Sequence, residues 1–114
     1  MSGIEIDLED IAEEKGKEIA KAIMGKYDEY SYAFKRNKVE KEIYARALHE
    51  ATAFFINNGA AKFDDKIIEA LKYRLEIRLE NPKDIKRSTP EELLANVIKI
   101  NVIDFLLEWA GIVL

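Results

Sequence analysis

From Leu93 onward the chain offers a helical wheel almost no polar side, and that restricts what it can fold into. At 100° per residue, Leu93, Ile100 and Leu107 fall on one side, and Ile98, Val102, Leu106 and Trp109 on the other. The polar exceptions form two thin stripes, Asn96/Lys99 and Asn101/Asp104/Glu108. A helix that is apolar all round has to be buried on several sides, so the rest of the chain must surround it. Its start is well marked. Thr89 caps, Pro90 occupies the first helical position where a missing N–H costs nothing, and Glu92 completes a Thr-x-x-Glu capping box. The spacing predicts a helix running through residues 88–114.

What surrounds it is a single domain, residues 1–114, long enough to bury roughly two-thirds of its unfolded surface. With 48% hydrophobic and 35% charged residues the composition is globular, and the absence of cysteine excludes disulfides, thiolate nucleophiles and thiolate metal sites. The acidic opening residues carry no long apolar run, so no signal peptide is expected. Lys99, Asp104 and Glu108 interrupt the apolar C-terminal stretch. Mid-membrane charges cost roughly 2.5–3.5 kcal/mol each for Lys or Asp, so no membrane association is expected, and the reading is cytoplasmic. The chain lacks Gln, is rich in Ile, and draws most of its charge from Glu and Lys. Thermophile sequences drift this way, although six Asn pull against it.

The remaining segments read mostly as helix. Residues 4–8 alternate Ile, Glu, Ile, Asp, Leu, the pattern of a short strand or extended arm. A first helix then runs to about Phe34, with Leu8, Ile11, Ile19, Ile23, Tyr27, Tyr30 and Phe34 as its apolar stripe. Ala12, Gly16 and Ala20 form a second ridge on it, small enough for another helix to approach closely. The break at residues 35–38, with Asn37 as cap and Glu40 in support, opens a second helix reaching Ile56. Its main face is Val39, Ile43, Ala47, Ala51 and Phe54, widened by Tyr44, Leu48 and Phe55, and Gly59 suits the position after its end. Phe63 before Asp64, with Ile68 beyond, fits a hydrophobic staple opening a third helix to Glu80. Residues 73–80 also alternate strictly, so a pairing of 4–8 with 73–80 in an α+β fold is the alternative. The expected fold is all-α, a four-helix up-down bundle around the buried C-terminal helix.

Candidate chemistry is sparse. The only histidine, His49, has no Glu three positions before it, so the Glu-x-x-His pattern of di-iron bundles is absent. Glu9-Asp10-x-x-Glu13 is loosely similar to the Glu-Glu-x-x-Glu motif of all-helical nucleoside-triphosphate pyrophosphohydrolases. No Glu-x-x-Asp follows to complete such a magnesium site, and a dipole-favoured first turn explains the acids. Arg46 and His49 stand too close in sequence for the Arg-x4–6-His of HEPN-type ribonucleases. No catalytic residue, cofactor or metal ligand is assigned, and the chain is read as non-enzymatic.

Two surface features remain. Basic residues cluster at Lys35, Arg36, Lys38 and Lys41 against Glu40, net +3, and at Lys83, Lys86 and Arg87 against Asp84, net +2. In an up-down bundle with short loops the two clusters share an end, where they would bind phosphate, with Tyr32 placed to stack on a base. Acidic residues 5, 7, 9, 10, 13 and 14 make the opposite end −6. The second feature is surplus apolar surface. Val102, Leu106, Trp109 and Val113 on the last helix, and Ala45, His49 and Ala53 on the second, are the candidate partner interface. Asn101, Asp104 and Glu108 are then either an exposed seam or groups fixing register across that interface. The expected function is self-association as an obligate homo-oligomer, with a further protein partner allowed. The alternative is a nucleic-acid-associated accessory subunit docking phosphate at the basic end.

Overall fold

The computed structural model describes residues 8–58, 69, 72–73 and 88–111. Residues 8–58 and 88–111 form four helices: α1 (Leu8–Lys26), α2 (Glu29–Phe34), α3 (Arg36–Asn58) and α4 (Pro90–Trp109). The protein is all-α, its helices packed against one another as a bundle. No strand occurs among the described residues. Of the alternative pairing of 4–8 with 73–80, only Leu8 and Tyr73 are described, and both are helical. Glu69 and Lys72 are helical too, and their side chains pair at 3.7 Å one turn apart. The rest of the expected third helix, its Phe63/Asp64/Ile68 staple and the Gly59 cap lie outside the described residues.

The buried positions of α4 run all round it: Leu93, Leu94, Ala95, Val97, Ile98, Ile100, Val102, Leu106 and Leu107. α1 and α3 both pack chiefly on α4, and on each other only to a lesser extent. Its start is as expected. The backbone N–H of Glu92 donates to Thr89 Oγ1 at 3.2 Å, and the N–H of Thr89 donates to Glu92 Oε1 at 3.0 Å. Its end comes earlier than expected, at Trp109 and not at residue 114. The N–H of Ala110 reaches Leu106 O at 2.8 Å, and that of Gly111 reaches Glu108 O at 3.1 Å. Gly111 takes a φ of 70°, a left-handed conformation glycine adopts without a Cβ clash.

The small ridge on α1 is what makes room. Ala12, Gly16 and Ala20 are buried. A Cβ on Gly16 would stand 3.1 Å from Asn101 Cβ, 3.6 Å from Ile98 O and 3.7 Å from Val102 Cγ2. The bare backbone at Gly16 therefore lies directly on α4. α3 presents Val39, Ile43, Ala47, Ala51 and Phe55 to the core, a near-unbroken i, i+4 row. Phe55 is buried and Phe54 packs edge-on against it at 5.9 Å, the reverse of the expected emphasis.

The first helix does not reach Phe34. It stops at Lys26, because Asp28 takes an extended conformation (φ −81°, ψ 170°) and its carboxylate accepts the N–H of Ser31 at 2.6 Å. That cap opens the six-residue α2. The expected break at 35–38 is correspondingly slight. Lys35 alone leaves helical geometry, its carbonyl already accepts from Val39 N at 3.0 Å, and Asn37 lies inside α3 rather than capping it.

The directions of the described helices follow from their contacts. α1 and α3 are antiparallel, with Lys15 beside Glu50 at 3.5 Å and Lys26 beside Glu42 at 2.7 Å. α3 and α4 are antiparallel as well. Tyr32 just before α3 meets Trp109, Tyr44 lies under Lys99, and Leu48, Thr52, Phe55 and Ile56 border Thr89 and Glu91. α1 and α4 thus run the same general way.

The tight seat at Gly16 is testable against Gly25, where an added Cβ would meet nothing within 4 Å. Overpacking costs roughly 1–3 kcal/mol, while Gly→Ala in an open helix gains up to about 1 kcal/mol. Gly16→Val should lower the urea midpoint and Gly25→Ala should hold or raise it. Equal effects from the two would show that α1 does not sit this closely on α4.

Candidate docking face

α2 is too short to be stable alone, so its place is set by what anchors it. Asp28 caps its start, and Tyr32 points inward with 0% exposure, its ring 6.2 Å from that of Trp109. With Tyr32 on the inner side, Tyr30 and Phe34 are left outside. Each is 81% exposed, and they stand four residues apart, on the same side of one turn. Both belong to the stripe expected to be buried. The capped break at Asp28 resets the helical phase, exchanging the roles of Tyr32 and its two neighbours. Tyr32 is therefore not available to stack on a base. Its hydroxyl is buried without a hydrogen-bond partner. Burial raises its pKa, partly offset by the charge of nearby Arg36.

Charges of both signs flank the aromatic pair, the exposed Asp28 and Glu29 before Tyr30 and the cations that begin at Lys35 after Phe34. Lys35, Lys38 and Lys41 are exposed and have no ion-pair partner among the described residues, and Arg36 is half-buried. Behind them a polar cluster ties the end of α1 to α3. Glu42 accepts from Lys26 Nζ at 2.7 Å and from the Tyr27 hydroxyl at 3.0 Å, with Arg46 Nη2 at 3.6 Å. The second basic group, Lys83, Lys86 and Arg87, lies outside the described residues. α4, which follows it, begins beside the C-terminal part of α3, whereas Lys35–Lys41 lie at the N-terminal end of α3.

The expected α4 interface is corrected in the same way. Val102 and Leu106 are fully buried within the chain, because α1 and α3 cover both sides of α4. Trp109 is half-buried against Tyr32, and Val113 is outside the described residues. Asn101 is half-buried, donates to Val97 O at 3.1 Å and backs onto Gly16, so its contact is within the chain. On α3, Ala45 and His49 are exposed and Ala53 half-buried. The first two join Glu18, Ile19, Ala22, Arg46 and Glu50 around an open groove of about 370 Å³ between α1 and α3. The sequence pattern missed Tyr30 and Phe34. The signal that finds them is Asp28 followed three residues later by Ser31, an N-cap inside an otherwise periodic run.

Among the described residues no three His, Asp or Glu side chains converge as a metal site would require. Of the acids near the start of α1, Glu13 pairs with Lys17 at 3.3 Å. None of the described helices is long and apolar enough to cross a membrane. No family model, curated protein or solved structure matches the chain.

Besides Tyr32, three groups around α2 titrate away from their ordinary values. The N–H and hydroxyl of Ser31 hold the Asp28 carboxyl down. Lys26 and Tyr27 do the same for Glu42, against the opposing effect of burial, and Glu42 in turn raises Lys26. A lowered carboxyl stabilises the fold above its unfolded pKa of about 4, and that contribution is lost as pH falls through the folded value. Lys26 contributes below its ordinary pKa of about 10.4 and loses its effect as pH rises through its raised one. The melting midpoint should therefore drop below about pH 4, and Asp28→Asn with Glu42→Gln should blunt that drop. Thermal melts from about pH 2.5 to 7 decide it; an unchanged acid limb in the double variant would remove both groups from the account.

Proposed function

We propose that this chain is a non-catalytic helical protein of the cytoplasm that acts by association, first of all with itself, through the aromatic face of α2. The observation carrying this reading is the pair Tyr30 and Phe34, each 81% exposed although capping and burial around them are well formed. Large aromatic side chains supply much contact area for little entropy, and interface cores are enriched in them. The interface first expected on α4 moves to α2, since α4 is covered inside its own chain. The open groove at Ala45 and His49 is a weaker candidate, because Glu18, Glu50 and Arg46 around it already have partners.

A second reading uses the same face. Exposed aromatics beside Lys35, Lys38 and Lys41 are also what a single-stranded nucleic acid stacks on while its phosphates meet cations.

Light scattering at micromolar to about 100 μM protein separates the two. Self-association predicts a mass of at least two chains, falling to one in Tyr30→Ser/Phe34→Ser with helicity unchanged. A monomer throughout sinks the first reading. Binding of labelled oligothymidylate at about 50 mM salt, lost steeply as salt rises, is the outcome expected of the second.

A further inference from the structure

We infer that the α2 face closes on the same face of a second copy about a two-fold axis, the two α2 helices antiparallel. The acidic end of each α2 then lies against the basic end of the other. The inference rests on the self-association reading and adds the geometry and stoichiometry of the contact.

The order of charges along α2 selects this pairing. Residues 28–36 read Asp-Glu-Tyr-Ser-Tyr-Ala-Phe-Lys-Arg. Reversed about Tyr32, every charge changes sign while the aromatics keep their places. Asp28 and Arg36 stand four residues either side of Tyr32, Glu29 and Lys35 three, Tyr30 and Phe34 two. A two-fold contact uses one patch on both copies, so each end of the patch must fit the other end. Antiparallel, Tyr30 of each copy meets Phe34 of the other, and two acids meet two bases at either end. A parallel pairing sets acids on acids and bases on bases. The charges of residues 28–36 also sum to zero, so the two copies do not repel as wholes.

The fold leaves these groups available. Asp28, Glu29 and Lys35 are exposed and Arg36 is half-buried. Glu29 and Lys35 have no ion-pair partner among the described residues. Neighbouring charges do not undo the pattern. Lys26, before the acidic end, is held by Glu42 at 2.7 Å. Lys38 and Lys41, exposed beyond the basic end, outnumber the half-buried Glu40. Glu108 is carried by α4, which packs on the Tyr32 side of α2.

The contact is small. An aromatic side chain buries roughly 150–250 Å². Four of them, each 81% exposed beforehand, remove on the order of 500–800 Å² from water. Ser31, Ala33 and Asn37 around them bring the contact toward the roughly 1,000 Å² of a weak, reversible interface. Because the face is used on both copies, none is left over, and assembly stops at two chains.

The full-length chain tests this by sedimentation or light scattering up to about 100 μM, where the mass should approach two chains and never exceed it. Glu29→Lys sets positive charge against Lys35 and Arg36 of the second copy. Lys35→Glu/Lys38→Glu sets negative charge against its Asp28 and Glu29. Each variant alone should weaken association at least tenfold, because symmetry places every substitution at two points of the contact. Mixed one to one, the two variants should pair with each other and recover the dimer, which also shows both are folded. The chain has no cysteine, so introduced ones report the axis directly. Ala33→Cys lies one residue from the axis and should form a disulfide with its own copy under mild oxidation. Lys38→Cys lies six residues from it, its two copies about 18 Å apart along the helices, beyond the roughly 7 Å a disulfide spans. Growth beyond two chains, no recovery on mixing, or Ala33→Cys linking no faster than Lys38→Cys overturns the two-fold pairing and leaves self-association to another contact. A monomeric wild type overturns both. A monomeric wild type that binds labelled oligothymidylate, with binding lost in Lys35→Glu/Lys38→Glu, assigns the face to nucleic acid instead.

Discussion

The arrangement depends on covering α4. A helix with Leu93, Leu94, Val97, Ile98, Val102 and Leu106 buried around its circumference needs neighbours on more than one side. Fully burying each such side chain is worth roughly 1.5–3 kcal/mol. α1 and α3 supply the cover, and the way they do so is unequal. α3 contributes a row of ordinary apolar side chains, while α1 contributes backbone, through Ala12, Gly16 and Ala20. Small residues gain little by their own burial. They gain by letting α4's larger side chains find protein on that side.

Covering α4 this way sets the two neighbours' ends, and the ends make the candidate face. α1 and α3 are antiparallel and must be joined at the end where α4 finishes. The joint is α2. Its Tyr32 closes that end of the core against Trp109, and inward placement of Tyr32 forces Tyr30 and Phe34 outward. Their exposure is therefore a consequence of how the core is closed. That makes it a fixed feature of the folded chain, which suits a contact surface.

Much of this was legible in the residues. The apolar wheel of α4, its Thr89/Glu92 box, the small ridge of α1 and the core row of α3 all rest on local rules of capping and period, and each is found in place. The misplacement of Tyr30, Tyr32 and Phe34 has one origin. Periodicity carries no information about phase after a break, and Asp28 with Ser31 resets it inside a run that otherwise scans as one helix. One unrecognised cap moved Tyr32 from surface to core and Tyr30 and Phe34 from core to surface. The α4 interface failed for a different reason. How much of a helix's circumference its neighbours cover depends on how closely they approach, and the consequence of Gly16 for that distance is tertiary.

The seat of Gly16 on Asn101 has a bearing on descent. Side chains that point into solvent, such as Glu13, Glu14 and Lys17, are free to drift over evolutionary time. Positions 12, 16 and 20 are not, because all three are buried and at Gly16 even a Cβ would stand 3.1 Å from Asn101 on α4. Distant homologues of this chain, however altered their surfaces, should be traceable by three small residues spaced by four ahead of an Asp-x-x-Ser interruption. That pattern is short and chemically bland, and ordinary similarity scoring gives it little weight.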